Sequence, residues 1–211
     1  MTHNDLWAEE RRLWAAGYRV VCGTDEAGAG PLAGPVYAAA VILPPEAEFP
    51  GLNDSKQLTA KKRDSLFDEI CAKALAYAVA SVSAEEIDRI DILNARIKAM
   101  DAAVKSLAII PDMALVDGNR DHGKQCRIES PHMLLVRGDS RSANIAAASI
   151  LAKVSRDRYM EQLAKDYPVY GFEKHKGYGT KLHYQALDAY GPSPVHRKTF
   201  LKKWGARRHE S

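Results

Sequence analysis

A chain of 211 residues, 46% apolar and 27% charged, can bury a sizeable core as one domain or as one domain with an appendage. No apolar run approaches the roughly 18 residues needed to cross a bilayer, and Met1-Thr2-His3-Asn4-Asp5 has neither half of a secretory signal, so a cytoplasmic protein without membrane contact is expected. Three cysteines, Cys22, Cys71 and Cys126, with no C-x-x-C spacing argue against a disulfide framework or a zinc site, and the net charge of +3 is too small to define a partner until its placement is known.

Residues 4–16 set Leu6, Trp7, Leu13 and Trp14 at helical spacing, so a short amphipathic helix precedes the first strand. That strand is expected over Tyr18–Thr24 and leads directly into Asp25-Glu26-Ala27-Gly28-Ala29-Gly30-Pro31. In a strand the two acids point to opposite faces, and both reach one site only where the strand ends and the backbone turns. Gly28 and Gly30 permit positive φ and close approach by a backbone or a ligand. Carboxylates beside exposed N–H groups suit a divalent cation together with a phosphate. A plain surface turn built from Asp and Gly is the alternative reading of the same residues.

Val36–Leu43 reads as a second, largely buried strand stopped by Pro44-Pro45. Asn53-Asp54-Ser55-Lys56 is a polar turn, and Thr59 caps a helix reaching about Leu75, with Leu66, Phe67, Ile70 and Ala74 inward. Ala76–Val82 is a third strand, and Ser83-Ala84-Glu85-Glu86 has the capping-box pattern. The helical region it opens breaks near Asp91, resumes through Met100, Val104 and Leu107, and ends at Pro111. Met113–Val116 and Met133–Val136 are short strands ending in Asp117-Gly118-Asn119 and Arg137-Gly138-Asp139-Ser140. Strands that each deliver an acid at their end gather those acids at one edge of a sheet; three independent turn aspartates would give the same sequence.

From Ser140 to about Lys165 the pattern is helical, with Ala146-Ala147-Ala148-Ser149 small enough to lie tightly on a sheet. Asp157 stands 18 residues after Asp139, about 27 Å along a continuous helix, so the two cannot share a metal there. Asp157 is read as an ion-pair partner of Lys153, Arg156 or Arg158. Beyond Pro168, Tyr170, Phe172, Tyr178, Tyr184 and Tyr190 alternate with basic residues and with His175, His183 and His196. Residues 171–211 hold nine Lys/Arg against Glu173, Asp188 and Glu210, so the front of the chain is acidic and the rear basic. That suits a metal site in one part and a polyanion grip in the other.

The residues resemble those of bacterial ribonuclease HII. The matching motifs are Asp25-Glu26-Ala27-Gly28, Pro31-Leu32-Ala33-Gly34-Pro35-Val36, Asn53-Asp54-Ser55-Lys56, Val116-Asp117-Gly118-Asn119 and Gly138-Asp139-Ser140. Ala146–Val154, Arg156-Asp157-Arg158, His175–Lys181 and His196-Arg197 complete the set. The resemblance implies an α/β fold: a ribonuclease H-like core with a central mixed β-sheet flanked by helices over 1–166, and a basic helical C-terminal extension over 167–211 that contacts nucleic acid. It implies a monomeric endoribonuclease that cuts the RNA strand of RNA/DNA hybrids and incises 5′ to single ribonucleotides in duplex DNA. Asp25, Glu26, Asp117 and Asp139 carry over as catalytic residues and as ligands for two divalent cations, Mg²⁺ or Mn²⁺. Tyr178 carries over as the tyrosine at the RNA–DNA junction, with His175, Lys176 and His183 as further substrate contacts.

One position departs from the family. Where it usually reads Gly-Arg-Gly, this chain has Gly28-Ala29-Gly30. The backbone that reads a 2′-hydroxyl is kept, and a guanidinium that could hold a phosphate is lost, which leaves open an impaired or altered-specificity hybrid-binding protein. Ribonuclease HIII carries an extra N-terminal domain, for which the residues before Asp25 leave no room. A catalytically silent binding module would not keep four unneutralised acids beside phosphate, and a metal-binding structural protein leaves the basic tail unexplained.

Overall fold

The computed structural model describes residues 5–52 and 58–208, the side chains of 203, 207 and 208 excepted; the polar turn at 53–56 lies outside the described residues. Five strands form one mixed sheet: β1 (Val21–Ala27), β2 (Val36–Ile42), β3 (Ala76–Val82), β4 (Met113–Asp117) and β5 (His132–Leu135), in the order β3-β2-β1-β4-β5. β1 pairs antiparallel with β2 and parallel with β4, which makes it the central strand. This explains why β1 starts later than Tyr18 and runs through both acids to Ala27. Its register with β2 extends to Ala27 opposite Tyr37, so the ladder, not the apolar run, sets its end.

Helices cover both faces. On one side lie α3 (Ala84–Ile90) and α4 (Ile92–Lys105), whose Ile97, Met100 and Val104 pack on Cys22, Ala38, Ala40, Ala114 and Val116. On the other lies α5 (Ala143–Asp166), whose Ala147, Ile150 and Leu151 meet Ala39 and Val41 and the Leu66 and Ile70 of α2 (Ala60–Lys73). Strand residues with even numbers thus face α4 and those with odd numbers face α5, the period of two expected of a pleated sheet. Thr59 and Ser83 cap α2 and α3 by accepting from Lys62 N–H and Glu86 N–H. The break at Asp91 is a residue of positive φ (69°) that ends α3 and caps α4 by accepting from Asn94 N–H.

α5 lies unusually close to the sheet. A Cβ at Gly23 of β1 would sit 2.2 Å from the Ile145 amide nitrogen, so only glycine fits beneath the first turn of α5. α1 (Ala8–Ala15) braces the same turn: the buried Glu10 accepts from Ser142 Oγ at 2.6 Å and from Asn144 N–H at 3.1 Å.

The C-terminal segment contributes α6 (Phe172–His175), α7 (Lys181–Tyr190) and α8 (Lys202–Arg208). Phe172, Ala186, Leu187 and Leu201 pack with Leu32 and Ala33 and with Met160 and Leu163 of α5. Three buried histidines join this layer. His196 Nδ1 accepts from Ser193 N–H at 3.0 Å, so its proton sits on Nε2 and is donated to His183 Nε2, 3.0 Å away. His183 then donates through Nδ1 to the Tyr178 carbonyl at 3.0 Å. His175 accepts from Gly177 N–H and donates to the Tyr170 carbonyl.

This network needs neutral rings, and burial supplies them: His183 and His196 are each pushed down to about 4 from an ordinary 6.5, and His175 is also lowered. An unfolded chain takes up these protons as pH falls below 6.5, whereas the folded one does not until about 4. Their contribution to stability is therefore full above pH 6.5 and is lost progressively down to about pH 4. Urea midpoints at pH 7 and 5 should fall more steeply for the wild type than for a His196→Gln variant; identical slopes would contradict neutral burial.

Candidate active site

Register sets the acids. Thr24 pairs with Val116 across the parallel β1–β4 ladder, so Asp25 and Asp117 follow at the same C-terminal end, both on the α5 face. Asp117 Oδ1 accepts from Gly138 N–H at 2.6 Å, which ties the end of β4 to the turn carrying Asp139. That turn is a single 3₁₀ turn, Gly138–Ser140, entered through a left-handed Arg137 (φ 56°) and ending before Ser142 caps α5. A Cβ at Gly138 would lie 2.5 Å from Ile145 Cδ1 and 3.2 Å from Asp117 Oδ1, so a larger residue would have to displace the Ile145 side chain. Asp25 and Asp139 are buried, at 6% and 9% exposure, while Asp117 is half-buried.

Glu26 differs. Because β1 continues past it, its carboxylate faces α4, where Oε1 meets Arg96 at 2.6 Å. Its amide donates to Asp25 Oδ1 at 2.7 Å, so the two adjacent acids are linked through the main chain while their side chains diverge. Among the described residues no three His, Cys, Asp or Glu side chains are drawn into a closed metal cage. The four acids offer carboxylate oxygen alone, and that donor chemistry fits a hard divalent cation rather than zinc. Asp157 stands apart on α5, paired at 2.7 Å with Lys153, one of the three partners expected for it.

The turn after β1 rests on two arginines. At Gly28 (φ +93°) a Cβ would lie 2.0 Å from Arg156 Nε. Arg156 donates to the carbonyls of Pro35, Lys176 and Ala33, and Arg197 to those of Gly34, Ala29 and Gly28, the last at 2.7 Å. Both side chains are wholly buried. Burial, and then the neighbouring Arg156, push Arg197 down to about 9, which leaves it charged at neutral pH.

Tyr178 is exposed, and its ring lies against the turn: a Cβ on Gly30 would be 3.8 Å from it. The other expected substrate contacts sit differently. His183 is fully buried and makes its hydrogen bonds inside the protein, and His175 is buried beside it. The Lys176 ammonium is engaged by Glu161 at 2.8 Å and by the Glu173 carbonyl at 2.6 Å.

The role of these arginines was not evident from charge patterning, which counted Arg197 in the basic rear of the chain and offered Arg156 as one of three partners for Asp157. Helical spacing carried a signal for Arg156. It falls on the buried stripe Ile145, Ser149, Ala152, Arg156, Met160, Leu163, all inward in α5.

The chain is similar in sequence and fold to known proteins. The ribonuclease HII family model matches residues 22–203. Ribonuclease HII of Caldicellulosiruptor saccharolyticus is 52% identical over 193 residues, covering 92% of each chain. That of Endomicrobium trichonymphae is 54% identical over 198 residues, covering 93% of this chain and 92% of its own. Among solved structures, the ribonuclease H2 of Pyrococcus horikoshii OT3 superposes with a TM-score of 0.73 at 28% identity, over 92% of this chain and 100% of its own. With acids at the ends of two parallel strands, a third in the adjoining turn and relatives of this similarity over nearly the whole length, the chain belongs to the ribonuclease HII family of endonucleases.

Proposed function

We propose that the protein cuts the RNA strand of RNA/DNA hybrids and incises duplex DNA on the 5′ side of an embedded ribonucleotide, leaving 3′-hydroxyl and 5′-phosphate ends. The observation that carries this reading is the Tyr178 ring lying against Gly30, in the turn that directly follows the paired acids of β1. A ribonucleotide bound there has its sugar beside the tyrosine and its phosphate at the sheet edge. The 2′-hydroxyl is the local difference between RNA and DNA, so a reader must sit within hydrogen-bond reach of it. Arg197 occupies the carbonyls of Gly28 and Ala29, and in this reading the N–H groups of Gly28, Ala29 and Gly30 are the donors that read it.

The family is metal-dependent, and Mg²⁺ or Mn²⁺ suits these donors. Asp25, Asp117 and Asp139 are the residues that would hold such ions from the α5 side of the sheet, and Glu26 would join them only by giving up its pair with Arg96. When bound, the cations activate water and neutralise charge at the leaving 3′-oxygen. The residues of this chain do the rest: Asp25 and Asp117 present oxygens from neighbouring strand ends, and Gly138 N–H orients Asp117. In this reading residues 167–211 act as an extension that carries Tyr178 to the substrate and adds basic surface around it.

The test is a nicking assay on duplex DNA carrying one ribonucleotide, with Mg²⁺, Mn²⁺ or EDTA. Cutting should require metal and spare an all-DNA duplex; equal cutting of the all-DNA duplex refutes 2′-hydroxyl recognition. Asp25→Asn should lower the rate by at least about a hundredfold, on the scale of losing one electrostatic stabiliser, while a gel-shift assay shows binding retained. An Asp25→Asn enzyme of full activity would remove this acid from the site. Ala29→Arg should restore one phosphate contact, steepening the slope of log affinity against log salt by about one. An unchanged slope would mean that position 29 does not face the backbone.

A further inference from the structure

The two parts assigned to reading the ribonucleotide, the 28–30 turn and Tyr178, come from segments far apart in the chain, yet one short stretch touches both. His196 forms a bridge with Ala33, and Arg197 N–H donates to the Leu32 carbonyl at 2.8 Å. From there the Arg197 side chain spans the carbonyls of Gly28, Ala29 and Gly34. The ring of His196 reaches the carbonyl of Tyr178 through His183. Adjacent residues thus hold opposite halves of the reader, one through a guanidinium and one through a pair of neutral imidazoles.

We propose that His183, His196 and Arg197 are positioning residues that lock Tyr178 to the glycine turn, so that the two parts reading the ribonucleotide keep a fixed spacing. This rests on the reading that Tyr178 and the turn contact the substrate. None of the three touches it: all are buried, with exposures of 0%, 2% and 0%. They act through the tyrosine and the turn. The aromatic layer makes the relay stiff, since the Phe172 ring stands perpendicular to His183 with centroids 5.5 Å apart, and His175 stacks on His183 at 4.5 Å. A second contact closes the frame, because Leu32 N–H donates to the Gly177 carbonyl, one residue before the tyrosine, at 2.8 Å.

The test measures kcat and KM for nicking duplex DNA with one ribonucleotide, using His183→Ala, His183→Asn and Arg197→Lys, each alone and combined with Tyr178→Ala. All are assayed below the onset of their thermal melts. His183→Ala should lose roughly ten- to a hundredfold, mainly in kcat, as expected for a group displaced by about an ångström. Asparagine at 183 can donate to the Tyr178 carbonyl from the place of Nδ1, so His183→Asn should recover most of the loss. On the Tyr178→Ala background, His183→Ala should cost less than about threefold, because coupled residues are not additive. Arg197→Lys keeps a charge but cannot span three carbonyls, and it should narrow the preference for the ribonucleotide over all-DNA duplex.

Equal losses with and without Tyr178, or full activity in His183→Ala and Arg197→Lys, would overturn the proposal. If Tyr178→Ala alone costs nothing, the substrate contact itself fails and the proposal falls with it, a result visible in that single variant. Should His183→Ala not fold, His183→Gln takes its place beside His183→Asn. Glutamine reaches the Nε2 position but not the carbonyl, so equal activity of the two would count against the relay.

Discussion

Two guanidinium groups buried against main-chain carbonyls hold the segment after β1 in its path, and the arrangement of the site depends on them. Arg156 and Arg197 between them engage six carbonyl oxygens, five of them in residues 28–35. An unpaired buried cation is costly, and a rigid fork of N–H donors offsets that cost only when acceptors converge on it. The loop supplies those acceptors by turning its carbonyls inward. The fold thereby converts a glycine-rich stretch, the least ordered kind of sequence, into a fixed surface. Lysine could not substitute, since one ammonium cannot address three carbonyls in a plane.

The acids obey a different constraint. Parallel pairing of β1 with β4 brings Asp25 and Asp117 to one end of the sheet on one face. Like charges gathered at one end of the sheet repel, so the structure spreads the load. Gly138 N–H donates to Asp117, Glu26 N–H donates to Asp25, and Arg96 takes the Glu26 carboxylate on the opposite face. The ion pair with Arg96 also links the site to α4, which packs across the sheet from α5.

Much of this was legible in the residues. The β3 strand, the caps at Thr59 and Ser83 and the break at Asp91 followed from local chemistry, which tertiary packing did not override. Asp117 at the end of β4 was readable because an apolar run gives way to turn residues there, whereas β1 continues past Asp25 and Glu26 to Ala27 and Asp139 sits in the 3₁₀ turn after β5. What could not be read was set by partners distant in sequence. The span of β1 is dictated by its ladders with β2 and β4, not by its own hydropathy. The roles of Arg197, His183 and His196 were hidden because charge and histidine content describe composition, while burial depends on which surface a segment folds against.

The close seating of α5 on Gly23 has an electrostatic consequence. A helix of 24 residues carries a substantial macrodipole, and its positive end emerges directly after the turn that bears Asp139. Because no side chain intervenes at Gly23, that end also lies close above β1, two residues before Asp25. The field of the helix therefore partly compensates the carboxylate cluster from within the fold.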